Sequence, residues 1–156
     1  MAWAPSIPND ACHVTGPDYE GLGIHLAAKR AVAHAGLTMA DIDLLHLHAT
    51  GTRANDKSEA IGLGNAWAEF ADKTPPAFGS KSQTGHTLGA AGGIESLLAI
   101  AGLERQCVPK NVGLETMNCD ERLDLPKVPR KLTRANHALK VASGFGGVQG
   151  AAVFSV

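Results

Sequence analysis

The period of the apolar residues changes repeatedly along this chain, and that alternation restricts its fold more than any other feature. From Tyr19 to Ala35 the spacing is helical, with Leu22, Leu26, Ala27, Ala31 and Ala35 on one face. Gly36 follows as the expected end of that helix, and Thr38 to Asp41 reads as a short capped turn. Residues 41–49, "DIDLLHLHA", then alternate with period two. Leu44, His46 and His48 fall on one side of a strand ending near His48, with Leu45 and Leu47 on the other. Asn55 or Asp56 is the expected cap of a second helix running to about Phe70, with Ala60, Ile61, Leu63, Gly64 and Trp67 turned inward. A short strand at "AFGS" leads to a third helix, about Leu88 to Leu103. After a proline- and charge-rich excursion, residues 138–156 read as two strands around a glycine-rich turn. Helix, strand, helix, strand, helix, excursion and hairpin in that order predict an α/β fold, a mixed sheet layered with helices.

The length of 156 residues suits one packed core. Residues 1–17, punctuated by Pro5, Pro8 and Pro17, form a leading segment that is loop or extended, and 18–156 form the domain. No internal repeat stands out. A net charge of −1 argues against a nucleic-acid partner. No apolar run is long enough to span a bilayer, and the N-terminus lacks the pattern of a signal peptide. Three cysteines, Cys12, Cys107 and Cys119, match no metal or redox spacing. A reduced, cytoplasmic setting is expected.

Chemistry in α/β folds gathers where strands run into loops. Three such places carry reactive or glycine-rich residues: His48 with "ATGT", Lys81 to His86, and the 144–147 turn "GFGG". His86 sits at or just before a helix N-terminus, whose positive end disfavours imidazolium and keeps a neutral hydrogen-bond donor. It reads equally as a capping or loop histidine. Lys81 reads either as a solvated surface lysine or as one half of a pair with Glu59. His46 and His48 share a strand face, a spacing that can bind zinc. Neither Cys12 nor His13 makes a third-ligand motif with them, so no metal is expected. His13, His25, His34 and His137 read as ordinary core or surface histidines. Neither glycine run has the frame of a phosphate loop or a dinucleotide fingerprint, so no nucleotide cofactor is expected.

Taken together, "LHLHATGTRANDKSEA", "GSKSQTGHTLGAAGGIESLLAI" and "ASGFGGVQGAAVFSV" resemble, in order and spacing, the C-terminal half of β-ketoacyl-acyl carrier protein synthases. These are condensing enzymes of the thiolase superfamily. The resemblance extends from about residue 9 to the end, and the frame K-S-x-T-G-H-x-x-G-A-A-G is its most specific part. It implies the second half of a five-layered α-β-α-β-α fold. It also implies decarboxylative Claisen condensation of an acyl thioester with malonyl-acyl carrier protein, in fatty acid or polyketide synthesis. The resemblance makes His48 and His86 the catalytic pair and Lys81 the family lysine. Glu59 becomes an acidic supporting residue, and Phe145 the phenylalanine of a gating loop. Thr50 and Thr52 become threonines near the arm of the carrier protein. The implied partners are an acyl carrier protein and a second subunit, in a homodimer or heterodimer.

The chain also departs from the family pattern. Ala49 follows the first histidine where glycine is usual, Ser143 stands where phenylalanine is frequent, and Gln149 where asparagine is common. None of the three cysteines lies in the family's nucleophile context, so condensation by this chain alone is not expected. The alternative is a non-catalytic subunit, resembling a chain-length factor or scaffold, beside an active synthase. Retention of both histidines and the lysine argues against it. A half-fold should also leave an apolar face uncovered where its other half would pack.

Overall fold

The computed structural model describes residues 3–116 and 118–156. Its central sheet has five strands in the order β1-β7-β6-β2-β3. These are β1 (Trp3–Ser6), β2 (Leu44–His46), β3 (Ala77–Phe78), β6 (His137–Ser143) and β7 (Gln149–Ser155). β2 runs parallel to β3 and β6, whereas β7 runs antiparallel to β6 and to β1. The sheet is therefore mixed, as the alternating periods require. A small ribbon within the excursion pairs β4 (Cys107–Val108) with β5 (Arg130–Lys131).

Helices cover both faces. α1 (Leu22–His34) and α2 (Arg53–Trp67) pack on one side. There they enclose a core containing Ile24, Ala31, Leu45, Leu47, Leu63, Trp67, Leu139 and Val141. α4 (Ala91–Glu104) covers the other side, where Leu44, Phe78, Ala99, Leu103 and Ala138 meet. The alternation of β2 and the residue that follows it thus sorts side chains between two cores: Leu45 and Leu47 to one, Leu44 to the other. α1 and α2 approach closely because Gly21 and Gly62 face each other. A side chain on Gly62 would run into the Gly21 carbonyl and an Ile24 methyl. α1 ends as expected: Gly36 adopts φ 73°, its N–H reaches the Ala33 carbonyl, and the Leu37 N–H reaches Val32.

Some boundaries differ from those the sequence suggests. α1 begins at Leu22, which is exposed, and buries Ile24, Ala28 and Val32 beside Ala27 and Ala31. Thr52 holds the N-cap position of α2, ahead of Asn55 and Asp56 and without a side-chain bond to the helix, and α2 ends at Trp67. The third helix is divided. A single turn, α3 (Lys81–Thr84), is stopped by Gly85 at φ 71°. A 3-10 turn, Leu88–Ala90, then leads into α4. α4 buries Ala91, Glu95, Ala99, Gly102 and Leu103 against the sheet. Its opposite side is also apolar and lies open: Leu97 is 68% exposed, with Ile94 and Leu98 beside it. A helix apolar all round belongs between two layers, and only one is present among the described residues.

The excursion is pinned to the sheet by Asn111. Its side chain accepts from the Gly79 N–H at 3.0 Å and donates to the carbonyls of Ala77 (3.0 Å) and Pro126 (3.2 Å). That anchor holds the backbone immediately before Lys81.

Candidate active site

The site begins where β2 runs out. Beyond His46 the chain remains extended to His48 and turns sharply at Ala49, which takes φ 43°. That is a left-handed conformation costing a non-glycine residue roughly 1–2 kcal/mol. Two features hold it. The buried Glu59 carboxylate on α2 accepts the N–H of His48 at 2.6 Å and of Ala49 at 2.9 Å. Gly79 lies opposite, and any side chain there would come within 2.5 Å of the Ala49 methyl. The extra methyl at position 49 is tolerated because its neighbour has none. Burial pushes the Glu59 carboxyl above its usual range, against the pull of those two N–H groups.

Glu59 is therefore not the partner of Lys81, contrary to the sequence expectation. Its oxygens are occupied by backbone. The buried Lys81 ammonium instead donates to Glu95 on α4 and to the His48 carbonyl, and lies 3.3 Å from His48 Nδ1. The second oxygen of Glu95 meets Lys140 Nζ at 2.6 Å. Lys140, on β6, is directly paired with His46 across the strands. Two ammonium groups thus share one carboxylate between the sheet and α4. Both cations and burial bear on His48. Burial, then Lys81, then Lys140 bring its pKa down from 6.5 to about 3, with Glu95 opposing. A donor at Nδ1 in addition means that the neutral ring carries its proton on Nε2.

His86 lies in the loop between α3 and the Leu88–Ala90 turn and is exposed. Its Nδ1 accepts the Leu88 N–H at 3.1 Å, so its neutral form also carries the proton on Nε2. The two rings are 5.5 Å apart, centroid to centroid, with planes at 84°. Both line a cleft of about 510 Å³, together with Thr50, Thr52, Ser143 and Phe145. Thr50 and Thr52 face each other with hydroxyls 2.8 Å apart.

Phe145 is 81% exposed, at the start of a 3-10 turn (Phe145–Gly147) in the β6–β7 connection. The leading segment braces this turn. The Gly146 N–H donates to the Val14 carbonyl at 2.7 Å, Asn9 Nδ2 to the Gly146 carbonyl at 2.8 Å, and the Asp10 N–H to Gly147 at 2.8 Å. Ser143 and Gln149 form one unit across the hairpin. Ser143 Oγ donates to Gln149 Oε1 at 2.7 Å, and Gln149 Nε2 donates to Asp10 Oδ2 at 3.1 Å.

Other candidates fall outside. His46 is fully buried edge-on to Phe78, with Nδ1 bonded to the Leu47 carbonyl at 2.9 Å. Burial and Lys140 bring its pKa down to about 4. No cysteine is among the residues lining the cleft. Burial and the Asp56 charge push the Cys119 thiol up, away from the thiolate a nucleophile needs. Glu95 and Lys140 are the two residues the sequence reading missed. Each does carry a signal: a charge on a stripe that is otherwise inward-facing, Ala91-Glu95-Ala99 on α4 and Ala138-Lys140 on β6.

Residues 4–115 match the family described as β-ketoacyl synthase, C-terminal domain. The 3-oxoacyl-[acyl-carrier-protein] synthase 2 of Vibrio cholerae serotype O1 is 36% identical over 93% of this chain and 35% of its own length. A putative polyketide β-ketoacyl synthase 1 of Streptomyces cyaneus is 39% identical over 94% of this chain and 34% of its own. Among solved structures, a type II polyketide synthase acyl carrier protein in complex with its ketosynthase superposes with a TM-score of 0.90. That match has 27% identity and covers 98% of this chain and 37% of that one. A Xenorhabdus doucetiae ketosynthase in complex with its chain length factor gives a TM-score of 0.83 and 29% identity, over 98% of this chain and 38% of that one. The chain spans about a third of the length of the curated relatives it matches. The α/β layering, the order of its strands and these matches agree, and the chain belongs to the β-ketoacyl synthase family as its C-terminal domain.

Proposed function

We propose that this chain supplies the decarboxylating wall of a condensing site, and that its partner layer supplies the sulfur. One observation carries the reading. Two histidines 5.5 Å apart on one cleft each have Nδ1 engaged from behind, one by Lys81 and one by the Leu88 N–H. Each then offers an Nε2–H. A pair of Nε2–H donors suits the oxygen of a malonyl thioester as it becomes an enolate. The bond to the malonyl carboxylate breaks, carbon dioxide leaves, and the electron pair delocalises onto the thioester oxygen. The enolate carbon then bonds to the carbonyl carbon of an acyl thioester, whose sulfur leaves as thiolate. That sulfur comes from a cysteine outside this chain, and the chain alone is inactive in condensation.

Thr50 and Thr52 sit where a pantetheine arm would pass. Phe145, exposed and among the residues lining the cleft, acts in this reading as its gate. An acyl carrier protein is the delivering partner. The open apolar side of α4 is where the cysteine-bearing half would pack, within a homodimeric or heterodimeric assembly. The setting is cytoplasmic. No helix among the described residues is long and apolar enough to cross a membrane. The complete trio Lys81, His48 and His86 favours this reading over a non-catalytic chain-length-factor role, which needs none of the three.

The test is condensation of malonyl-acyl carrier protein with an acyl thioester, followed by mass spectrometry. The chain is assayed alone and after co-expression with the cysteine-bearing N-terminal part of the Vibrio cholerae relative. Product is expected only from the pair. His48→Ala and His86→Ala should each lower it by roughly 100-fold or more. Product formation indifferent to both substitutions refutes the reading.

A further inference from the structure

Lys140 is a buried lysine in the middle of a central strand, a position that normally takes an apolar residue. Its ammonium donates to the Val141 carbonyl and lies 2.6 Å from Glu95 Oε2. Glu95 Oε1 accepts from Lys81. Each oxygen of the carboxylate is therefore ion-paired with its own cation. This matters for Lys81. A carboxylate whose second oxygen lacked its own cation would attract the Lys81 charge toward that oxygen as well. With Oε2 occupied, Lys81 has only Oε1, and its other N–H groups turn to the His48 carbonyl and His48 Nδ1. The 3.3 Å approach to Nδ1 is the weakest of these contacts and the first to be lost if Lys81 were drawn away.

We propose that Lys140 is a positioning residue of this site: by occupying the second oxygen of Glu95, it keeps Lys81 directed at His48 Nδ1 and thereby fixes His48 as an Nε2–H donor. The charge balance agrees. Two ammonium groups face one carboxylate, and the other nearby carboxylate, Glu59, is occupied by the backbone of His48 and Ala49. His48 is faced by Lys81 from α3, Glu95 from α4, Lys140 from β6, Glu59 from α2 and His86 across the cleft, with His46 two residues before it at the end of β2. Lys140 is one of the two cations that hold its imidazole neutral.

The inference rests on the proposed function only in calling His48 a reacting group, and its test needs no turnover. In the 15N-labelled chain, long-range proton–nitrogen spectra report the tautomer of each histidine, with His48 assigned by its disappearance in His48→Gln. The wild-type chain should show His48 as Nε2–H alone between pH 7.5 and 5.0. Lys140→Met leaves Glu95 still paired with Lys81, so no charge is orphaned and the chain should fold. Its His48 should show a mixture of both tautomers over that same range. Lys140→Arg, which restores a cation, should recover the wild-type pattern. A folded Lys140→Met chain with the wild-type tautomer overturns the proposal. So does failure of both Lys140→Met and Lys140→Gln to fold, which would assign Lys140 to the architecture instead. If the spectra behave as expected while the paired condensation assay yields nothing, the functional reading falls and the positioning role stands.

Discussion

Acid should weaken this fold because two buried histidines resist charging. His46 and His48 have pKa values brought down from 6.5 to about 4 and about 3, both chiefly by burial. Unfolded, each takes up a proton as the pH drops through 6.5; folded, neither does until far lower. The unfolded chain therefore binds more protons throughout that window, and stability falls as pH falls. From pH 7.5 to 5.0 each histidine contributes about 1.4 kcal/mol per unit over about 1.5 units, or about 2 kcal/mol. The pair together contributes about 4 kcal/mol. His25, also lowered by burial, acts in the same direction. Glu59 acts in the opposite one: its raised carboxyl takes up a proton in the folded state first, which restores stability as the pH drops. A net loss of roughly 2–4 kcal/mol is expected, large against a typical total of about 5–15 kcal/mol. Urea unfolding at pH 7.5, 6.0 and 5.0 measures it directly. Replacing His48 with Gln should remove about half of the pH dependence. A stability flat to within about 0.5 kcal/mol over this range, or a His48→Gln chain with an unchanged slope, refutes the reasoning.

Gly62→Ala should destabilise by roughly 1–3 kcal/mol in the same urea assay, because the added methyl meets the Gly21 carbonyl and Ile24. Gly89→Ala, where nothing lies within 4 Å, is its neutral control. Asn111→Ala removes the bonds to Gly79, Ala77 and Pro126 and should cost roughly 2–3 kcal/mol. Its distinguishing mark is faster proteolytic cutting within residues 109–130.

The elements that carry local periodicity were readable. The alternation of residues 44–48 gave the strand and assigned its two faces. Gly36 and the Thr38–Asp41 turn marked their boundaries with their own chemistry. The division of the third helix was hidden in a run of small residues, where Gly85 at φ 71° decides the break. The start of α2 lies earlier than cap propensity at Asn55 and Asp56 indicates, because Thr52 takes the N-cap position through its extended backbone without a side-chain bond.

Lys81 was legible because it begins a helical turn, and His48 and His86 because they lie in the loops just beyond a strand or a turn; such places are visible along the chain. The sequence by itself therefore determined the layered α/β pattern, the strand faces and the residues at the cleft. Tertiary structure decided their partners. Glu59 lies eleven residues from His48 and caps its backbone, whereas Glu95 and Lys140, 45 residues apart, converge on the charge of Lys81. Buried ions must find counter-ions wherever packing brings them together. That choice is made across the space between a sheet and a helix, a distance that no spacing along the chain records.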